Sequence, residues 1–179
     1  MTAMNEIYRF LPLLQWTIAI SLLVVSGIAW SFNLWVVPII KFNKSSSAIL
    51  QLEETSRRGG KWLEPLNASF AFLLGLNALL LSRHPDPAEG TYWKNYATAC
   101  ITLLQVAWWE RVFIFPLEAY IATLSKHKGS LGGSQDSWMD EASRKVLHQS
   151  LDKWCQWHAV RATLPLVAAL LALSAKSRI

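Results

Sequence analysis

Charge is what this sequence has least of. Only 16% of its 179 residues are Asp, Glu, Lys or Arg, while 53% are hydrophobic. It has two cysteines, Cys100 and Cys155, too far apart for a metal knuckle or a redox pair. They read as packing residues and leave the redox compartment open. No Walker loop, dinucleotide fingerprint, G-x-S-x-G or His-Glu-x-x-His motif occurs, which removes the common nucleotide, serine-hydrolase and zinc-protease signatures. Nothing resembles a nucleic-acid-binding module, so no nucleic-acid partner is expected. The stretch "KGSLGGSQDS" (128–137) follows no strand and lacks a Lys-Ser/Thr ending, so it reads as a flexible linker, not a phosphate cradle.

The hydrophobic residues are concentrated. From Phe10 to Ile40 there are 31 residues without a charge, and from Pro65 to Ser82 there are 18 more. Asn95–Ser125 carries only Glu110, Arg111 and Glu118, and Val160–Ala175 only Arg161. A bilayer-spanning helix needs about 20 predominantly apolar residues. The sequence therefore predicts an all-α integral membrane four-helix bundle, one domain over 1–179, with spans near 11–40, 65–82, 95–124 and 157–175. A soluble bundle is the competing fold, but runs this long exceed ordinary buried helices. A cleaved leader is disfavoured by the length of the first run, by Glu6 ahead of it and by the lack of an Ala-x-Ala site. Trp16, Trp35, Trp62, Trp93, Trp154 and Trp157 fall near the proposed span ends, as interfacial tryptophans do.

Lys and Arg set the orientation. The loops after the first and third spans hold ten of them: Lys41, Lys44, Arg57, Arg58, Lys61, Lys126, Lys128, Arg144, Lys145 and Lys153. The opposite side holds five. The positive-inside rule places both loops in the cytosol, where they favour an anionic lipid surface. Glycosylation at Asn43, in "NKS", would contradict this. The expected setting is the endoplasmic reticulum membrane; the oligomeric state is left open.

"RHPDPAEG" (83–90) reads as a turn-rich connection. Ser137 with Asp140 three residues on resembles a capping box. It starts an amphipathic cytosolic helix that leads unbroken into the last span, with Met139, Ala142, Val146, Ser150, Trp154 and His158 at helical spacing.

On the last span, Trp154, His158, Arg161 and Pro165 fall within about 60° of one another at 100° per residue. A cation at membrane depth is costly and normally faces a protein interior with a partner. On the third helix, Trp108, Arg111, Phe115 and Glu118 share an arc of roughly 80°, with Glu110 beside it. Ser26, Trp30 and Asn33 share a face of the first helix, and Glu64 and Asn67 open the second. One pocket near the cytosolic interface gathers these groups most simply. The bland alternative is that Arg161 snorkels to headgroups or that the charges only lock packing.

The pattern Trp154-x-x-x-His158-x-x-Arg161-x-x-x-Pro165 resembles the last-helix signature of the anthrone-oxygenase-like family, small four-helix membrane proteins common in fungal polyketide gene clusters. "WSFNLWVVPII" (30–40) is similar to the end of the family's first helix, and "GGKWLEP" (59–65) to its Gly-to-Pro lead-in to the second. The run "WKNYATACITLLQVAWWERVFIFPLEAYI" (93–121) resembles its Trp-led third helix. Where the family pattern has Pro-Thr-Asn, this chain has Pro116-Leu117-Glu118, exchanging an amide for a group that can take up a proton.

The resemblance implies a monooxygenase of secondary metabolism that converts an anthrone to a quinone with O2 as co-substrate and no metal or flavin. Its substrate is a lipophilic small molecule that partitions into the bilayer. In that reading His158 is the base and Arg161 holds the anion, while Trp154, Trp108 and Phe115 stack on the rings and Asn33 and Asn67 line the pocket. Glu118, with Arg111 on the same face as its expected charge partner, opens an alternative: acid–base chemistry without O2, by a hydrolase, cyclase or isomerase, on a lipophilic polyketide or terpenoid intermediate. A non-enzymatic membrane scaffold is the third reading.

Overall fold

The computed structural model describes residues 3–126 and 141–175. They form helices α1 (Ala3–Ser31), α2 (Val37–Lys41), α3 (Ser45–Ser82), α4 (Pro87–Gly90), α5 (Trp93–Trp109), α6 (Phe115–Lys126) and α7 (Glu141–Ser174), and no strand occurs among them. Two π turns, Phe32–Val36 and Glu110–Ile114, join α1 to α2 and α5 to α6. Four long columns result, each long and apolar enough to cross a membrane, which makes the chain a membrane protein by length and composition. The linker at 128–137 and the capping box at Ser137 and Asp140 lie outside the described residues.

The columns form a ring. α1 packs on α7, α7 on α5, α5 on α3, and α3 back on α1 and α2. Consecutive columns joined by short turns run antiparallel. At one end Tyr8 Oη donates to the Arg83 carbonyl (3.1 Å) and Asn95 Nδ2 to Ser174 Oγ (2.9 Å). At the other, Lys41 pairs with Asp152 and Asn43 Nδ2 donates to Gln51 Oε1 (2.7 Å).

The segment 45–64 is helical, which corrects its assignment as part of a loop before a span at 65–82. Its many charges suggest a loop, yet Ala48, Ile49, Leu52 and Leu63 lie buried along one face while Glu53, Arg57, Arg58 and Lys61 point outward. At 1.5 Å per residue α3 is roughly 57 Å long, well beyond a hydrocarbon core of about 30 Å. Its charged first half therefore extends past the membrane. The last helix is continuous through Glu141–Ser174, as the sequence leads one to expect; Ser150, Trp154 and His158 are buried on it, whereas Val146 is exposed.

Each π turn sits directly before a proline. Pro38 and Pro116 lack an N–H and their rings crowd the carbonyl four residues back. The N–H groups of Val37 and Phe115 reach five residues back instead, to the Phe32 and Glu110 carbonyls. Pro65 and Pro165 lie within α3 and α7.

Two apolar cores result. One, built around Leu11, Ile18, Leu22, Leu74, Tyr96, Ala99, Leu103, Ala168 and Ala172, fills the end with the chain's most apolar runs. The other, around Val37, Ile40, Ile49, Leu52, Ile114, Ile121, Leu147, Leu151 and Trp154, fills the charged end. Polar side chains from all four columns occupy the seam between them.

Candidate active site

His158 is the centre of the seam and is 1% exposed. Its Nδ1 lies 3.0 Å from Asn33 Oδ1, and Asn33 Nδ2 donates to the Cys155 carbonyl at 2.9 Å. That second bond fixes the amide so that its oxygen faces the ring, and Nδ1 must therefore carry the proton. Nε2, left as an acceptor, receives Arg161 Nη1 at 3.0 Å, as a permanently protonated guanidinium requires. This network assigns His158 as the neutral Nδ1–H tautomer.

Arg161 in turn forms an ion pair through Nε with Glu110. The two are 8% and 4% exposed, so the pair is withdrawn from solvent, where losing either partner strands a charge. The chain Asn33–His158–Arg161–Glu110 crosses the bundle from the first column to the third. Trp154 stacks on the His158 ring with centroids 4.4 Å apart and planes 13° from parallel, and Phe32 approaches it at 5.4 Å. Trp154 Nε1 donates to Glu118 Oε1 at 2.9 Å. Ser26 Oγ donates to the Ala162 carbonyl at 2.8 Å, tying the first column to the last beside Arg161.

A chamber of ≈ 30 Å³ lies between these groups, walled by Phe32, Ser56, Gly60, Glu64, Glu110, Phe115, Glu118, Trp154, His158 and Arg161 among others. That is room for about two waters and not for an aromatic ring system. Beside it a groove of ≈ 620 Å³ runs between α3 and α6, lined by apolar Ile49, Leu52, Pro65, Ile121 and Ala122 and by charged Glu53, Arg57 and Lys61. Ser56, Gly60, Glu64, Phe115 and Glu118 line both spaces. The groove and the chamber therefore meet along these five residues, with the Glu64 and Glu118 carboxylates at the junction.

Small residues on α3 permit this. A Cβ on Gly60 would stand 2.8 Å from Glu64 Oε1, and one on Gly59 would stand 3.0 Å from Phe32 Cζ. Gly60 lets the Glu64 carboxylate fold back towards the chamber, and Gly59 lets the Phe32 ring lie close against α3. The buried Ser56 Oγ has no hydrogen-bond partner among the described residues, an open valence at the junction of the two spaces.

Of the residues singled out from sequence, Asn33, Phe115, Glu118, Trp154, His158 and Arg161 come together. Arg111 and Trp108 do not. The π turn inserts an extra residue into the third column and turns the helix beyond it by about 100° relative to a regular α-helix. Glu110 consequently faces inward, while Arg111 is exposed and the partner of Glu118 is Trp154. Trp108 is also exposed and contacts Trp109 and Phe113, outside the chamber. Asn67 is buried in α3 but is not part of the chamber wall, and its Oδ1 has no partner among the described residues. Ser56, Gly60 and Phe32 are the site residues that sequence spacing did not single out, and Glu110, which it placed only beside the third-helix stripe, is part of the chamber wall. Pro116, which dictates the π turn, was the available signal for Glu110.

Among the described residues no group of three or more His, Cys, Asp or Glu is arranged to hold a metal ion. No curated protein and no solved structure matches the chain. The anthrone oxygenase family matches it over residues 53–171, a stretch that contains Glu64, Glu110, Glu118, Trp154, His158 and Arg161. A seam of buried ionisable groups within a four-column membrane bundle, reached from a lateral apolar groove, is thus carried on a chain that belongs to the anthrone oxygenase family.

Proposed function

We propose that this protein is a membrane-embedded enzyme of secondary (polyketide) metabolism, sited in the endoplasmic reticulum, that oxygenates an anthrone-like aromatic to a quinone with O2. Family membership supports the reaction class. The geometry supports a division of labour in which Glu118 takes the substrate proton. His158 has both nitrogens engaged and lies behind Trp154, whereas the Glu118 carboxylate stands where the groove meets the chamber. Glu64 borders the same junction, but of the two carboxylates Glu118 is the one hydrogen-bonded to the Trp154 indole that stacks on His158, and that observation carries the assignment.

The substrate lies in the groove, against Phe115, with its reactive methylene towards Glu118 and its phenolic edge towards Arg161. Glu118 removes a methylene proton, leaving an electron-rich anion delocalised onto the phenolic and carbonyl oxygens. The Arg161 guanidinium, held by Glu110 and His158, supplies fixed positive charge for those oxygens. The anion passes one electron to O2, and the resulting radical and superoxide combine to form a carbon–oxygen bond. The peroxide oxygen takes the first proton back from Glu118, and loss of the second methylene proton with cleavage of the O–O bond then releases water. The balance is anthrone plus O2 to quinone plus water, and no metal or flavin enters it.

The position of Glu118 also favours a second reading, acid–base chemistry on another lipophilic intermediate, because proton abstraction is common to both. Labelled O2 separates them. Membranes containing the protein are supplied with a 1,8-dihydroxyanthrone under labelled O2, beside the Glu118→Gln variant. Oxygenation places one labelled atom in the quinone, and the variant loses about 10²–10⁴-fold in rate, the usual size of a general-base contribution. Label uptake no faster than in membranes without the protein would refute the oxygenase reading. Substrate turnover without label would transfer the site to acid–base chemistry.

A further inference from the structure

Three carboxylates, those of Glu64, Glu110 and Glu118, line the same small chamber, and Arg161 is the only guanidinium among the described residues of its wall. Which of them Arg161 pairs with determines which two are left to react. The guanidinium donates Nη1 to His158 Nε2 and is ion-paired through Nε with Glu110, without hydrogen-bonding geometry at Nε, so its hydrogen bond goes to the fourth column and its charge partner stands on the third. Glu118 receives no Arg161 hydrogen bond. Its Oε1 accepts from the Trp154 indole, a neutral donor, and its side chain borders the groove.

We propose that Glu110 is a positioning residue: by holding Arg161, it keeps the guanidinium from pairing with Glu118 and so leaves the Glu118 carboxylate available to the groove. This deepens the proposed function and rests on Glu118 as its base.

The fold supplies what such a device needs. Glu110 is the first residue of the π turn, and the turn exists because Pro116 cannot complete an α-helical hydrogen bond. In a regular helix Glu110 would stand beside the inward stripe, with Arg111 facing the pocket in its place. A second cation would then face Glu118. The π turn therefore performs two tasks together: it brings in the carboxylate that occupies Arg161 and puts Arg111 outside. Arg161 is further held by its own helix, where His158 lies one turn away and Trp154 clamps the imidazole. The arrangement gives Arg161 fixed partners and gives Glu118 a partner that leaves its charge unneutralised.

The idea makes a prediction opposite to that of simple structural support. A residue that only holds the bundle together would, on removal, loosen the site and expose its carboxylates. A positioning residue would, on removal, release Arg161 to the remaining carboxylates of the chamber wall, Glu118 and Glu64, and Glu118 would become less reactive.

The test is labelling by dicyclohexylcarbodiimide, a membrane-permeant carboxyl reagent, of the full-length protein in lipid nanodiscs. Modification at Glu118 is read by peptide mass spectrometry and needs no substrate, so its outcome is independent of whether the oxygenation reading holds. Glu118 is labelled in the wild-type protein. In Glu110→Gln its labelling falls about tenfold, the factor given by a pairing preference of about 1.4 kcal/mol. In Glu110→Gln/Arg161→Gln, which lacks the competing cation, labelling returns towards the wild-type level. Unchanged or increased labelling of Glu118 in Glu110→Gln overturns the proposal. Should that variant fail to yield folded monodisperse protein, Glu110→Asp decides: its retracted carboxylate weakens the hold on Arg161, so labelling falls partway, and labelling equal to or above wild type overturns the proposal.

Discussion

The two apolar cores of the bundle are built from different residues, although the same four columns run through both. The core at the most apolar end contains seven alanines among its fifteen buried members, including Ala168, Ala169 and Ala172 on α7 and Ala175 just beyond it. The core at the charged end contains one, Ala48, among ten, and is filled by Ile, Leu, Val and Trp154. The difference follows from what surrounds each half. Helices inside hydrocarbon gain nothing by hiding Leu from lipid tails, so they associate through close backbone approach at small residues. Helices that emerge from hydrocarbon, with Glu53, Arg57, Arg58 and Lys61 on the outer face of α3, bury large side chains away from water. The polar seam lies where one packing regime gives way to the other. There, on the proposed function, a lipophilic substrate would meet groups that need a wetter environment.

The strongest way to break this comparison is to strand a charge in the seam, which both cores share. Replacing Glu110 or Arg161 alone by Leu is expected to destabilise the protein by about 3–5 kcal/mol, because the remaining partner is left buried and unpaired. Replacing both should cost less than either single change. Equilibrium unfolding in mixed detergent micelles checks this, and a double variant as destabilised as the sum of the two would contradict it.

Next in size are truncations within each core. Leu151→Ala, in the core at the charged end, loses transfer free energy and leaves a cavity, about 2–5 kcal/mol together. Leu22→Ala, equally buried in the other core, forfeits mainly packing, since lipid replaces water as the alternative surroundings. The same unfolding assay should therefore show a larger loss at Leu151 than at Leu22. Equal losses would mean that both halves sit in the same medium. Smallest is Lys41→Gln, which removes the pair with Asp152 at the protein's surface and should change stability by no more than about 1 kcal/mol, less at high salt.

The membrane bundle was legible because its signal is the plain length of uncharged runs such as 10–40, and no tertiary detail alters that. The first half of α3 was not. Its outer face is so charged, and Gly59-Gly60 so suggestive of a break, that the inner stripe of Ala48, Ile49 and Leu52 went unread. The same contrast divides the site. Trp154, His158 and Arg161 lie on one unbroken stretch of α7, where 100° per residue places them correctly. Counting through the third column fails at Glu110–Ile114, where the π turn alters the angle per residue. Glu110 and Arg111 thereby exchange the positions that regular geometry gives them. Asn33 survives because it belongs to the first turn after α1, before the altered geometry has accumulated.

The most direct measurement of the central claim, that Glu118 abstracts a substrate proton at the mouth of the seam, needs no oxygen. Under argon in deuterated buffer, the purified protein in nanodiscs is mixed with a 1,8-dihydroxyanthrone, and loss of the methylene proton signal is followed by NMR. The account predicts exchange faster than in protein-free nanodiscs, with the acceleration abolished in Glu118→Gln. Exchange accelerated equally by the wild type and by Glu118→Gln would contradict it, and would return the base to His158 or to no residue of this seam.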